Sequence, residues 1–263
     1  ITGVDSANET FNYTASTINS GTLSVESPTG GGAAATTKYN LSNLESLHVD
    51  GRGMADDTLE VTTDNAIITP GIPSGSGNVD ALAFNGQSLL GLTYENFESA
   101  TVIGTSVVIE GTSGNDQVNL SAAGLITVID ELGNQNSVDV SAFTHVIINT
   151  LGGDDQVDLN AAGLISVAVI GGDNGSGSDT LNFVSTGETT LNLGAATIDD
   201  DASVGSPDVT YTGIETINMD ANSQNLTVEV TGSNDTVEVT PLTATTGTLS
   251  ANGVAPVVNY SQV

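Results

Sequence analysis

The sequence predicts an all-β protein, and within that class a parallel β-solenoid of about 20 residues per coil, wound as a right-handed β-helix. Three observations support this. Residues 114–129 (GNDQVNLSAAGLITVI) match residues 153–168 (GDDQVDLNAAGLISVA) at eleven of sixteen positions, 39 residues apart, so a structural unit is copied. Apolar and polar residues alternate with period two in Val118-Asn119-Leu120, Val138-Asp139-Val140, Val157-Asp158-Leu159 and Leu181-Asn182-Phe183, whose first residues are 20, 19 and 24 apart. Hydrophobic residues make up 38% of the chain but aromatics only 4%, without tryptophan, which suits a thin core of Val, Ile, Leu and Ala.

Second apolar segments follow the leading ones at 125–129, 146–148, 164–170 and 189–193. With strands of about 5–6 residues, each coil holds two, and the 39-residue repeat spans two coils. The longer step contains Gly175-Ser176-Gly177, an inserted loop. Residues 30–37 and 70–77 are Gly-, Ala- or Pro-rich loops, and no charge shift marks a domain boundary. The chain is therefore expected to be one array over residues 1–263, less regular over 1–93 and clearly coiled over 94–263. Tandem Ig-like β-sandwiches are the alternative. They need antiparallel hairpins and a period of about 90–100 residues, against the spacing of about 20 residues here.

Two short motifs recur. The first is a tyrosine followed by an apolar-Glu step: Tyr39 with Glu45, Tyr94 with Glu98, Tyr211 with Glu215. Glu98 and Glu215 are 117 residues apart, three times 39, and the motif is expected to mark a coil corner. The second is an acidic turn ahead of alternation, at Asp56-Asp57, Asn115-Asp116, Asp154-Asp155 and Asn234-Asp235. Thr10–Thr14 aligns with Thr236–Thr240, and Gly21–Ser24 with Gly247–Ser250, both at an offset of 226. The chain is thus expected to be one period, or an excerpt, of a longer repetitive fibre, joined to adjacent repeats or copies of itself end-to-end.

Charge narrows the partners. Thirty-two acidic residues face two basic ones, Lys38 and Arg52, for a net charge of −30. Nucleic acid and anionic membrane are repelled, and no apolar run approaches the length of a bilayer span. Without cysteine there is neither a disulfide nor a thiolate metal site. The carboxylates are either solvated or neutralised by divalent cations. Asp199-Asp200-Asp201 is a denser acidic group that also suits a solvated loop. His48 and His145 lie in strand segments with no second His nearby in sequence, which favours strand residues over ligands. The eight Asn-x-Ser/Thr sequons fit chance in a chain this rich in those residues.

The acidic turns Gly152-Gly153-Asp154-Asp155-Gln156-Val157 and Gly171-Gly172-Asp173, continuing to Asp179-Thr180-Leu181, resemble the calcium-binding nonapeptide of RTX proteins. The tandem nine-residue spacing is absent, and an Asx turn cap is the plain alternative for any one aspartate. With the Tyr-x-x-apolar-Glu motif, the pattern resembles the repeat regions of giant bacterial cell-surface proteins, RTX-like or adhesin-like. That resemblance implies a secreted, extracellular scaffold or adhesive fibre, stabilised by Ca2+, and identifies no ligand; surface polysaccharide or other cells are the partners expected of such a fibre. Candidate metal ligands are Asp56, Asp57, Asp116, Asp154, Asp155, Asp173, Asp179 and Asp235. A β-helical polysaccharide lyase or hydrolase is the enzymatic alternative; with only Lys38 and Arg52 as cations and few aromatic platforms, no enzyme is expected.

Overall fold

The computed structural model describes residues 1–2, 8–17, 20–28, 34–44, 46–52, 57–63, 65–70, 76–81, 92–97, 99–160, 166–172, 178–200, 208–230, 235–252 and 254–263. Among these the chain is all β, with no helix. The strands are β1 (Thr10–Thr17), β2 (Ser20–Ser27), β3 (Ala35–Leu41), β4 (Leu47–Asp50), β5 (Thr58–Thr62), β6 (Asn65–Pro70), β7 (Gly77–Ala81), β8 (Leu92–Glu95), β9 (Ser99–Ile103) and β10 (Ser106–Glu110). They continue as β11 (Gln117–Leu120), β12 (Leu125–Ile129), β13 (Gln135–Asp139), β14 (His145–Asn149), β15 (Gln156–Asn160), β16 (Ser166–Ile170), β17 (Thr180–Val184) and β18 (Thr189–Asn192). The last are β19 (Thr197–Asp199), β20 (Val209–Thr212), β21 (Thr216–Asp220), β22 (Leu226–Glu229), β23 (Val237–Pro241), β24 (Gly247–Ala251) and β25 (Val254–Ser261).

The chain forms two compact units, one of Ile1–Glu110 with Leu125–Thr144, the other of Gly111–Gly124 with His145–Val263. In the first, one sheet runs β12-β13-β9-β5-β1-β2-β3 and a second β10-β6-β7-β8-β4. Aromatic rings fill part of its core: Phe97 meets Phe11 edge-on at 5.3 Å and Tyr94 at 6.3 Å. In the second unit, one sheet runs β11-β15-β17-β21-β25-β24-β23 and the other β14-β16-β20-β19-β18-β22.

Within the second unit, register converts alternation into columns. Val118, Val157, Leu181, Ile217 and Val258 stack on successive parallel strands, each at most 1% exposed. Leu120, Leu159, Phe183 and Met219 form the next inward column. Each buried side chain of this size contributes about 1.5–3 kcal/mol, and a one-residue slip would turn both columns to solvent. The outward column is Asn119, Asp158, Asn182, Asn218 and Asn259. There Asn218 donates from Nδ2 to Asn182 Oδ1 at 2.6 Å, and Asn259 to Asn218 Oδ1 at 2.7 Å.

The sheets are of mixed orientation, which corrects the expectation of a purely parallel array. Plain windings are short: Gln156 pairs with Thr180 and His145 with Ser166, steps of 24 and 21 residues. Other parallel steps are longer, as from Gln117 to Gln156 (39), Thr180 to Thr216 (36), Thr216 to Val257 (41) and Thr58 to Ser99 (41). In each of these the intervening chain makes an antiparallel hairpin. The uniform coil of about 20 residues is corrected accordingly. Val138 does not stack between Val118 and Val157; it lies opposite Ile126 in the β12–β13 hairpin. The cause is the turn at 130–134, where Asp130 Oδ1 accepts the amides of Leu132 and Asn134 and Gly133 takes φ +80°.

The 226-residue match is structural as well as sequential. In β1–β2, Phe11 faces Val25, Asn12 Ser24, Tyr13 Leu23 and Thr14 Thr22. In β23–β24, Val237 faces Ala251, Glu238 Ser250, Val239 Leu249 and Thr240 Thr248, the same register moved by 226. β3 and β25 add a third antiparallel strand to each.

Backbone packing at one corner is tight enough to test. Gly172 has φ +88°, and a Cβ there would lie 1.9 Å from the Leu151 carbonyl oxygen. Gly133, at φ +80°, has open space around it. Urea unfolding should show Gly133→Ala losing about 1–2 kcal/mol, the cost of a left-handed non-glycine residue, and Gly172→Ala losing clearly more. Equal losses would mean that the corner does not pack as described.

Candidate functional site

The residues that the sequence marks as acidic turns become corners, where the chain enters a parallel strand. Extended strands in register bring each corner beside the next. Asp116, Asp155 and Asp179 precede β11, β15 and β17 and are 3%, 2% and 1% exposed. They form a ladder. The Asp116 amide donates to Asp155 Oδ1 at 2.7 Å, the Asp155 amide to Asp179 Oδ1 at 2.9 Å, and the Asp179 amide to Glu215 Oε2 at 2.9 Å. Asp116 Oδ2 accepts the Thr112 amide at 2.6 Å. The carbonyls run the other way: Asp116 O accepts from Gln156, and Asp155 O from Thr180. Each carboxylate thus caps the amide that its neighbour's turn leaves unpaired, a charge-assisted bond about twice as strong as a neutral one.

The other candidates separate around this ladder. Asp154 is exposed and belongs to an outer line: its amide donates to Asn115 Oδ1 at 2.9 Å, and its Oδ1 accepts the Ser178 amide at 3.2 Å. In the first unit Asp57, 1% exposed, repeats the device by accepting the Glu9 amide at 2.7 Å. Asp235 accepts from Asn252 Nδ2 at 2.7 Å. Asp56 and Asp173 lie outside the described residues, as do Glu45, Glu98, Asn234 and Asp201. Among the described residues no group of three or more His, Asp or Glu converges as a cage for a metal ion.

The electrostatics of the ladder are unfavourable without a counter-charge. Burial pushes the Asp179 carboxyl up to about 6; the Asp155 amide opposes this, while Asp155, Glu215 and Asp154 add repulsion. Burial also raises Asp155, against the Asp116 amide and the Thr150 hydroxyl. Asp155 Oδ2 is buried and makes no hydrogen bond, while the Thr150 hydroxyl lies against the Ile170 and Gly171 carbonyls at 3.3 and 3.0 Å. A buried anionic oxygen lacking a donor is costly and suits a proton or a cation. Calcium takes six to eight oxygens from carboxylates and carbonyls. The ladder offers the Asp155 carboxylate and its stacked turns' carbonyls, so the donor chemistry is of the right kind.

Three carboxylates do more than the sequence indicated. Glu215 ends the ladder; its Tyr-x-x-Ile-Glu motif was expected only to mark a corner, and Tyr211 and Ile214 are buried beside it. Glu9 had no signal beyond its position before β1. Asp200 is 4% exposed and accepts from the Thr186 amide (2.8 Å) and the Thr189 hydroxyl (2.7 Å), so it caps a turn rather than lying in a solvated loop. His48 is an exposed strand residue, its Nε2 3.1 Å from Glu95 Oε1, and His145 is exposed at the start of β14. A shallow hollow on the outer face holds Asn182, Asn218 and Asn259, with Asp220 its single carboxylate. No helix among the described residues is long and apolar enough to cross a membrane. No protein-family model, curated protein or solved structure matches the chain.

The pH dependence follows from the raised carboxyls. A folded-state value above the unfolded one (about 3.9) means that the native state binds protons first as pH falls. In chelator, stability should therefore rise from pH 7 towards pH 5 and stop rising once the unfolded chain protonates near pH 4. Asp179→Asn keeps an acceptor for the Asp155 amide but removes the charge, and should flatten that rise. Asp179→Ala should cost about 1–3 kcal/mol by orphaning a buried amide. Thermal melts across pH in chelator measure all three, and a melting temperature that falls between pH 7 and pH 5 would contradict the ladder's electrostatics.

Proposed function

We propose that this chain is a structural segment of an extracellular, cell-surface fibre with an adhesive role, and that it performs no catalysis. Its two-sheet winding is a parallel β-solenoid, right-handed by the general preference of parallel crossovers, with hairpins spliced into its coils. Calcium neutralises the carboxylate-lined corners and so stiffens the rod. The observation that carries this is the ladder of Asp116, Asp155 and Asp179, buried in a chain of net charge −30 with an unbonded oxygen on Asp155.

Three further features agree with a scaffold. The outer amide column of Asn182, Asn218 and Asn259 bonds along itself and holds the strands in register. Successive parallel strands stack like on like despite their unequal steps, so stability accumulates strand by strand as in repeat architectures. The surface charge favours solvated spacing between fibres and discourages contact with nucleic acid and anionic lipid. Surface polysaccharide or another cell is the target such a fibre would face.

In this reading Asp155 and Asp179, with carbonyls of their stacked turns, hold the ion; Asp57 and Glu9 are the counterpart in the first unit. Ligand binding to the native state alone stabilises by mass action. Adding calcium in excess should raise the melting temperature at pH 7, and chelator should lower it again. Asp155→Asn should blunt that shift. An unchanged melting temperature with and without calcium would remove the ion from this function.

A further inference from the structure

The outer face of the second unit carries a hollow over β17, β21 and β25 that the calcium ladder does not use. Six outward side chains line it in two columns. Register sets Asn182 beside Asn218 and Asn218 beside Asn259, and likewise Val184 beside Asp220 and Asp220 beside Ser261. The amide column is bonded in one direction. Asn259 donates to Asn218, Asn218 to Asn182, and Asn182 to Asp158 on β15. An amide has two N–H donors and an oxygen with two lone pairs. The column uses one donor of each amide and one lone pair of Asn182 and Asn218, so all three keep a donor and an acceptor for a ligand. Each amide is also held by its neighbours beforehand, which lowers the cost of binding. Beside them Val184 is 38% exposed, and Asp220 already accepts the Asn222 amide at 2.9 Å and Gln262 Nε2 at 2.7 Å.

We propose that this hollow binds an extended, uncharged polysaccharide lying across the strands, with successive sugars on Asn182, Asn218 and Asn259. The proposal rests on the reading of the chain as a surface fibre that faces polysaccharide, and gives that target a place. Spacing, hydrogen bonding and charge select the ligand together. Neighbouring strands stand about 4.8 Å apart, close to the length of one sugar in an extended glycan, so the face offers one amide per sugar. A sugar hydroxyl is donor and acceptor at once, which matches what each amide has left, and Val184 suits the C–H face of a ring. Lys38 and Arg52 both belong to the first unit, so the second has neither Lys nor Arg to hold an anionic glycan, and the net charge of −30 repels one. Both oxygens of Asp220 are engaged, so the amides, and not an ion pair with a cationic sugar, make the recognition.

Side-chain amide NMR of the full chain tests this. The neutral probes are cellohexaose, mannohexaose and N-acetylchitohexaose; the charged ones are oligogalacturonate and a glucosamine hexamer. At least one neutral probe should shift the Asn182, Asn218 and Asn259 signals saturably, alike at low and high salt. Asn218→Ala should weaken that binding about tenfold or more, the loss of one to two hydrogen bonds. Val184→Glu leaves the amide column intact and should weaken it as well. Asn119→Ala, in the same outward column but outside the hollow, should leave it unchanged. Circular dichroism of the variants separates lost binding from lost folding. No shift from any neutral probe, or binding that survives both Asn218→Ala and Val184→Glu, would overturn the proposal. So would binding of the glucosamine hexamer alone that high salt abolishes, since that is charge attraction only. A chain that binds no sugar but melts with calcium dependence fails this site and leaves the calcium-clamped scaffold standing; one that binds sugar with a calcium-independent melt fails the ion alone.

Discussion

The structure depends on how each corner satisfies its backbone. At the corners ahead of β11, β15 and β17, one amide finds no carbonyl, and a carboxylate from the next corner accepts it. Asp155 serves Asp116, Asp179 serves Asp155 and Glu215 serves Asp179. An unpaired buried amide costs about 1–3 kcal/mol, so the caps set which residues may stand at corners and hold the strands in the register that buries Val118, Val157 and Leu181. The same solution concentrates negative charge in a line with low local dielectric, and there the fold meets its main electrostatic difficulty.

That difficulty links fold to function. One corner could bury a single hydrogen-bonded carboxylate without a counter-ion. In the stack, burial first and the neighbouring carboxylates after it raise the affinity for protons, as at Asp179. Calcium, which takes six to eight oxygens from carboxylates and carbonyls, is the counter-ion we propose for this stack. A fibre whose windings are clamped only when the ion is present would be stiff there. The scaffold reading and the electrostatics are thus one argument seen from two sides.

Much of this was legible in the sequence, for identifiable reasons. The 39-residue duplicate is a direct stacking relation, Val118 on Val157, because parallel pairing aligns like with like. The acidic turns marked corners because an aspartate there can reach the neighbouring amide. Coil length was not legible. Alternation at Val138 looks the same whether the strand stacks in parallel or folds back as a hairpin, and only the Asp130 turn decides between them. Glu215 was hidden because its longer side chain reaches the ladder from a motif that reads as a core anchor.

The central claim is that the buried ladder carries charge that an ion relieves. Carboxyl-carbon NMR of Asp155 and Asp179, titrated with pH in chelator and then with calcium, tests it directly. The account predicts that Asp179 titrates near its raised value of about 6 in chelator, and that calcium moves both resonances and suppresses that titration. Resonances unmoved by calcium, with Asp179 titrating as an ordinary carboxylate, would contradict it.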